Sequence, residues 1–371
     1  MREKTHLKSI VILAFLVVIV LSASSANKAL GVTYTATDLT PSGFSSSRAL
    51  GVSGNQQVGE GYSAGGNWRA LLWSDNAESC VDLTPSGFGG SRARGISGNQ
   101  QVGYGYSATS SRNHALLWNG SATSYVDLNP IGFTQSYARG ISGTQQVGYG
   151  YGSATGNHDH ALLWSGSADS FIDLNPSGFD SSNAYGTNGT QQVGEGYSAT
   201  GFNWCALLWN GSAASCVDLN PSGFTGSAAY GTNSTQQVGD GIGSATGYTF
   251  HALLWSGSAA SCIDLNPSGF VSSQAFGISD THQVGYGLVT SGYDHALLWS
   301  GSADSFVDLH QFLPTEFVSS HAQAIDGSGN IVGYATDSSN NTHAILWEPV
   351  PEPATLFLLG LGAVILRKRK K

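Results

Sequence analysis

Five short apolar segments begin with His and end in Trp, led by His114, His160, His251, His295 and His343. Imidazoles recurring in this way could ligate a metal or move protons. A second recurring set is Asp38, Asp82, Asp127, Asp173, Asp218, Asp264 and Asp308, each followed directly by Leu. Carboxylates in that number could hold calcium. Both sets, however, recur once per repeating unit, which spreads them around the molecule instead of gathering them. The imidazoles are therefore expected to pack on or hydrogen-bond to the neighbouring Asp-Leu turn, with no metal and no cofactor; calcium on the carboxylates is the one exception left open. His158 and His160 share a strand face through the period of two, but no third ligand accompanies them. Asp326, Ser328 and Asn330 have calcium-loop spacing, yet Ile331 stands where such a loop needs Gly, and a hairpin turn is the expectation.

Cysteine offers two readings. Cys80, Cys216 and Cys262 occupy one repeat position, filled elsewhere by Tyr125, Phe171 and Phe306, which suggests apolar filler. Cys205 replaces the recurrent His. A two-residue turn at Asn210-Gly211 would pair Trp209 with Ser212 and bring Cys205 opposite Cys216, where an exported protein permits a disulfide. That count also places the pair at a hydrogen-bonded position, where bridges are less comfortable, so a disulfide and two thiols both stay open. No nucleophile constellation appears: the serines fall in recurrent turns, without a Gly-x-Ser-x-Gly elbow, so no catalytic residue is assigned. Where the copies differ, in the loop between second and third strands, they carry Trp68, Arg112, His158, Phe202, Trp204, Tyr248, Phe250 and Tyr293. Aromatics among Gly, Ser, Thr and Asn can stack on the C–H-rich faces of sugars, or simply cover the rim of a sheet.

The elements that must position these residues follow from internal repetition. The apolar-Trp segment occurs as Arg69–Trp73, His114–Trp118, His160–Trp164, Cys205–Trp209, His251–Trp255, His295–Trp299 and His343–Trp347. The seven Asp-Leu pairs are spaced 44 to 46 residues apart, and seven Val-Gly pairs keep step with them. In the third unit the strand candidates are Ala138–Ser142, Gln146–Tyr151, His160–Trp164 and Ser170–Leu174, separated by Gly-, Asn- and Pro-rich turns. Four short strands per unit of about 45 residues is the arithmetic of a propeller blade. The first copy supplies a fourth strand, Tyr34–Leu39, with no third strand before it, and the last copy stops at the third strand, His343–Trp347. Pairing the two would complete a seventh blade and hide two sheet edges. The expected fold is all-β, a seven-bladed propeller over residues 34–348 with a spacer at 27–33.

The two ends read as addresses. Arg2, Lys4 and Lys8, the apolar run Ile10–Leu21 and the small residues Ser22–Ala26 form a secretory signal over residues 1–26, cleaved after Ala26. At the other end, Pro351-Glu352-Pro353 precedes the apolar run Ala354–Leu366 and the basic cluster Arg367–Lys371. A helix over 354–366 would cover about 20 Å, short of the roughly 30 Å hydrocarbon core, which suits a weak stop that holds the chain at the membrane during export.

The order Val350-Pro351-Glu352-Pro353-Ala354-Thr355, a short apolar helix and a terminal basic cluster resembles the PEP-CTERM sorting signal. The resemblance implies a bacterial envelope or extracellular protein, processed near Pro351–Pro353 by an exosortase-type enzyme in cells that make exopolysaccharide. Ordinary single-pass anchoring is the alternative. The repeat itself is similar to the HAF family of extracellular repeats, on the strength of His114-Ala115-Leu116-Leu117-Trp118, Asp127-Leu128, Gly140-Ile141-Ser142 and Val147-Gly148. It departs from that family in carrying Leu where the family has Phe. That resemblance implies location and fold, not activity.

Charge narrows the partners. Net charge is −9, and from Gly140 to Glu348 there are 16 acidic residues and no Lys or Arg. Such a surface repels phosphate backbones and excludes nucleic-acid binding. The expected function is non-enzymatic: an exported module contacting exopolysaccharide or another envelope component through the aromatic loop face. The alternatives are a structural spacer without ligand and, third, a propeller hydrolase or lyase. The last would need an asymmetric carboxylate or His cluster near the central channel, where first strands such as Ala138-Arg139-Gly140 and Ala229-Tyr230-Gly231 are small and poor in charge.

Overall fold

The recurrent Ala-Leu-Leu-Trp segment does not alternate apolar with polar residues, because both faces of its strand are covered. In the first copy Ala70 and Leu72 pack toward the next repeat, among Ala93, Ile96, Leu116 and Trp118. Leu71 and Trp73 pack the other way, among Leu39, Val332 and Leu346. All seven tryptophans at this position are fully buried. A continuous apolar run of this length is what a doubly covered strand requires.

The computed structural model describes residues 33–201 and 203–351. Within it, Tyr34–Pro349 forms one compact unit of seven antiparallel four-stranded sheets. The first blade comprises strands Phe44–Ser53, Gln56–Ser63, Trp68–Trp73 and Val81–Asp82. The second to sixth blades follow over 88–127, 133–173, 179–218, 224–264 and 270–308. The seventh is composite: Phe317–Ile325, Ile331–Asp337 and Thr342–Pro349 are completed by Tyr34–Asp38, which pairs with the last strand from Tyr34↔Pro349 to Asp38↔Ile345. The signal at 1–26, the spacer up to residue 32, Glu352, Pro353 and the apolar run 354–366 lie outside the described residues, as does Phe202.

Two local features differ from the sequence expectation. First strands are longer than expected, nine or ten residues where five were read, because a bulge in each, such as that between Ala49 and Gly51, bends a strand that starts earlier at Phe. Fourth strands of the first six blades are shorter, only two residues each, while Tyr34–Asp38 in the seventh has five. The glycine after each Val on the second strand lies against that bulge: a Cβ on Gly59 would sit 1.8 Å from the Arg48 carbonyl oxygen.

A two-residue fourth strand leaves part of the third strand's outer edge without a sheet partner, and that edge is buried. The amide of the third-strand Ala points past the end of the fourth strand, and a Ser on the first strand of the next blade accepts its hydrogen bond. Ala70 donates to Ser91 Oγ at 3.1 Å, Ala115 to Ser136 at 3.0 Å, Ala161 to Ser182 at 3.1 Å and Ala206 to Ser227 at 3.0 Å. Ala252 donates to Ser273, Ala296 to Ser320 and, from the seventh blade to the first, Ala344 to Ser47, each at 3.0 Å. Where Asn follows Asp-Leu the hydroxyl in turn donates to it, as Ser182 does to Asn175 Oδ1 at 2.7 Å. Replacing Ser182 by Ala leaves the Ala161 amide buried and unpaired, at a cost of about 1–3 kcal/mol. Urea denaturation should show that loss, whereas Ser42→Ala, in an exposed turn, should stay within about 0.5 kcal/mol of the parent.

Candidate functional site

The recurrent His and Asp residues bind one another. Nδ1 of His114, His160 and His251 lies 2.7 Å from Oδ2 of Asp127, Asp173 and Asp264, and His295 lies 2.8 Å from Asp308. His343 reaches Asp38 at 2.7 Å, tying the last third strand to the N-terminal strand. The other carboxylate oxygen accepts the amide two residues on, as in Asn129 N–H to Asp127 Oδ1 at 2.9 Å. Each Asp thus closes a turn and holds an imidazole at the rim. Asp326 likewise accepts the amides of Ser328 and Asn330 at 2.9 and 3.0 Å, forming the hairpin expected there. Among the described residues no group of three or more His, Cys, Asp or Glu side chains is placed to hold a metal ion.

Cys205 and Cys216 are free thiols. The counted register is wrong by four residues: Leu207 pairs with Asp218 and Leu208 with Val217, because the connection is not a two-residue turn but includes a 3-10 turn over Ala213–Ser215. Cys216 therefore precedes the short fourth strand instead of facing Cys205. Cys205 takes the place of the recurrent His beside Asp218, and burial followed by that carboxylate pushes its thiol up to about 11. Burial does the same for Cys216, up to about 12.

The loops between second and third strands lie against the Pro-Ser-Gly-Phe connections, as in Ala64 N–H to the Gly43 carbonyl at 3.0 Å and Ala199 N–H to the Gly178 carbonyl at 3.1 Å. Arg112, His158, Tyr248 and Tyr293 are exposed on separate blades. Trp68 and Trp204 instead begin third strands, Phe250 stands directly before one, and the three wall two clefts between blades. The first cleft, about 600 Å³, is lined by Trp68, Arg92, Tyr104, Tyr106, Asn113 and Tyr137. Trp68 packs against Tyr62 with ring centroids 5.4 Å apart, and the Arg92 guanidinium lies over it at 4.4 Å. Beneath, the fully buried Glu60 carboxylate is surrounded by Arg48 at 3.8 Å and by Arg92 and Arg94 at 3.4 Å. Three cations around one buried carboxylate compensate the loss of its hydration.

The second cleft, about 280 Å³, has the same strand positions and the opposite electrostatics. It is lined by Trp204, Phe250, Glu195, Ala228, Asp240 and Gln274, among others. Trp204 packs against Tyr197 at 5.2 Å, but no guanidinium covers it, and it is 44% exposed beside Phe250 at 45%. Glu195 accepts from the Tyr185 hydroxyl at 2.6 Å and from Asn183 Nδ2 at 3.4 Å. Asp240 accepts from Gln274 and, at 3.5 Å, from Tyr230. Burial pushes both carboxyls up; Asp240 reaches about 7, with the negative charge of Glu195 adding to the effect.

These acids do not lie on the first strands, where the sequence points for a cluster near the central channel. They sit on second strands, at the residue between the two glycines that follow Val, occupied in turn by Glu60, Tyr104, Tyr149, Glu195, Asp240, Tyr286 and, in the seventh blade, Tyr334. The exchange of Tyr for an acid at one repeat position was the available signal. First strands are also richer in charge than expected in the first three blades, where Arg48, Arg92, Arg94 and Arg139 point inward to acids and tyrosines.

Residues 349–370 match the PEP-CTERM protein-sorting motif, which marks the chain as an exported protein sorted by an exosortase. No curated protein matches the chain. Among solved structures, the β-propeller domain of the Trilobed protease from Pyrococcus furiosus, described as having an open velcro topology, is similar at 9% identity and a TM-score of 0.58, covering 83% of this chain and 98% of that one. A puromycin-hydrolysing peptidase from Mycobacterium tuberculosis is similar at 14% identity and a TM-score of 0.53, covering 83% of this chain and 54% of that one. A puromycin hydrolase is similar at 10% identity and a TM-score of 0.52, with 84% and 56% covered. The chain spans about half the length of these two enzymes. At such identities the likeness concerns the propeller fold.

The raised Asp240 carboxyl makes a pH-dependent prediction. A carboxyl that holds its proton more tightly folded than unfolded supports stability below the unfolded value of 3.8, and that support is lost as pH rises through about 7. Asp240→Asn should therefore match the parent near pH 4 and exceed it near pH 8 by on the order of a few kcal/mol. Urea midpoints for both proteins across that range check this; parallel curves would show that Asp240 is not held protonated.

Proposed function

We propose that the chain is an exported surface or matrix protein that binds extracellular polysaccharide in the clefts between its blades, without catalysis. The observation that carries this reading is the Trp204 cleft, in which two half-exposed aromatic side chains stand above buried hydrogen-bonding groups. Aromatic walls with a few placed polar groups are the usual composition of a small-ligand site, and an aromatic face suits the C–H face of a pyranose. The export and sorting of the chain supply the location in which polysaccharide would be met. Sorting by an exosortase-type enzyme at Pro351–Pro353 would free the propeller from the C-terminal apolar run. The exported form should then have an intact mass lacking the residues beyond that motif, and replacing Pro351, Glu352 and Pro353 by Ala should restore the full mass.

A second reading is favoured by one observation: Glu195 and Asp240 are two buried carboxyls in one cleft, and paired carboxyls in raised environments serve glycoside hydrolases. New reducing ends or unsaturated products from a bound polysaccharide, absent in Glu195→Gln, would establish it.

A polysaccharide and glycan array, run with calcium and then with EDTA, tests the first reading. Retention of at least one polysaccharide is expected, unchanged by EDTA and reduced by about tenfold or more in Trp204→Ala. Silence across the array, including on the producing cell's own exopolysaccharide, would leave a structural spacer.

A further inference from the structure

The chain contains its own reference for the Trp204 cleft. At the junction between consecutive blades, the second-strand residue of one blade faces a first-strand residue of the next. Glu60 meets Arg92 at 3.4 Å, and Tyr104 packs on Tyr137 with centroids 4.9 Å apart. Asp240 accepts from Gln274, Tyr286 packs on His321 at 4.0 Å, and Tyr334 lies under the Arg48 guanidinium at 4.9 Å. Between the fourth and fifth blades the corresponding residues are Glu195 and Ala228. A methyl group cannot reach across, and the hydrogen-bond donors to Glu195, Tyr185 and Asn183, come from its own blade.

The junction between the first and second blades shows what this slot accommodates. There Tyr62 pairs with Trp68, as Tyr197 pairs with Trp204, and Glu60 stands at the position of Glu195. Into that frame the Arg92 guanidinium inserts, 4.4 Å from the Trp68 ring centroid and 3.4 Å from the Glu60 carboxylate. The later junction keeps Trp, Tyr and Glu and replaces the cation's residue by Ala228, which lines the cleft of about 280 Å³ with Trp204 and Glu195, whereas the cleft beside Trp68, about 600 Å³, already holds the Arg92 guanidinium. No Lys or Arg lines this cleft, and Arg139 of the preceding blade, whose charge reaches Tyr185, donates to the Tyr149 hydroxyl at 2.8 Å.

We propose that the Trp204 cleft binds an amino sugar, its ammonium directed at Glu195 where Arg92 meets Glu60 in the earlier junction, and its ring against Trp204 and Phe250. This rests on the carbohydrate reading and names the sugar class within it. A cation placed between an aromatic face and a carboxylate in a partly buried site gains both a cation–π contact and a charge-assisted hydrogen bond. The half-exposed second aromatic, Phe250, provides apolar area that a lone amine would not use, which favours a sugar carrying the charge over a small free amine.

The test is isothermal titration of the purified full-length protein with a glucosamine tetramer, its fully N-acetylated counterpart and free arginine. The glucosamine tetramer should bind about tenfold or more tightly than the acetylated one. Glu195→Gln should bring the two to the same affinity. Ala228→Arg should refill the slot and abolish glucosamine binding, with a melting temperature at or above the parent's to show that the fold is intact; Ser42→Ala, in an exposed turn, should leave the affinity unchanged. Equal affinity for the two tetramers in the parent, or undiminished binding in a folded Ala228→Arg variant, would overturn the ammonium assignment while leaving carbohydrate binding standing. Free arginine binding as tightly as the glucosamine tetramer would overturn the sugar assignment. If neither tetramer binds but the array retains a polysaccharide through Trp204, the amino-sugar proposal alone fails; if nothing binds in either experiment, both readings fail.

Discussion

Each blade leaves one buried amide that its own sheet cannot pair, and the next blade supplies the hydroxyl that accepts it. A buried N–H without a partner is costly, so this requirement cannot be met by apolar packing alone. It fixes where the next first strand must lie, because the Ser Oγ has to reach the Ala amide while donating its own proton to the Asn or Thr region after Asp-Leu. The same bond from Ala344 to Ser47 joins the seventh blade to the first. The tryptophans and leucines fill the volume between sheets, but they would tolerate some rotation; the serine bond does not. Between the sixth and seventh blades His310 stands beside Ser320 at 2.9 Å in place of the usual Asn or Thr, and the bond from Ala296 is kept.

The rim obeys a similar division of labour. Asp closes the turn with one oxygen and holds His with the other, so the two recurrent polar residues satisfy each other instead of presenting a ligand set. Where Arg69 or Cys205 replaces His, the carboxylate neighbour is retained: Arg69 lies 3.9 Å from Asp82, and Asp218 stands beside Cys205. The position is defined by its service to the turn, and its tolerance of three side-chain chemistries shows that the imidazole's own chemistry is not what the position requires.

Repetition made the architecture legible and concealed the site. The sevenfold Trp, Asp-Leu and Val-Gly markers gave strand number, blade number and the pairing of Tyr34–Asp38 with the last strand, because each marker reports a contact that every blade must make. Register across the third and fourth strands was not legible, since Asn210-Gly211 looks like a complete two-residue turn and nothing in its composition announces the 3-10 turn that follows. The buried serines were read as turn residues for the same reason: Ser47 and Ser182 stand in Ser-rich stretches, and only the three-dimensional neighbour distinguishes them. Trp68, Trp204 and Phe250 were visible as variable aromatics, but their placement in clefts follows from Trp68 and Trp204 opening third strands and from Phe250 standing directly before one. Glu195 and Asp240 were hidden by averaging over copies, since most equivalents are Tyr.

The uneven distribution of arginine is what turns a repeat into a site. A closed ring held by seven equivalent serine bonds does not depend on the side chains that line its inner junctions, so those can diverge at little cost to the fold. In the first three blades the divergence runs toward neutrality: Arg48, Arg92 and Arg94 surround Glu60, and Arg139 bonds Tyr149 at 2.8 Å. From Gly140 to Glu348 the acids persist and no Lys or Arg occurs. A buried carboxylate without a counter-charge must hold its proton, gather neutral donors or find a cation from outside, and the raised Glu195 and Asp240 carboxyls with their Tyr, Asn and Gln donors show the first two in force. Neutral donors stabilise a carboxylate less than a cation does, so this cleft retains an unmet affinity for positive charge that the Glu60 junction has already satisfied internally. Stability alone would favour Arg at position 228, as at 92; Ala there keeps the carboxylate and the aromatic wall accessible together.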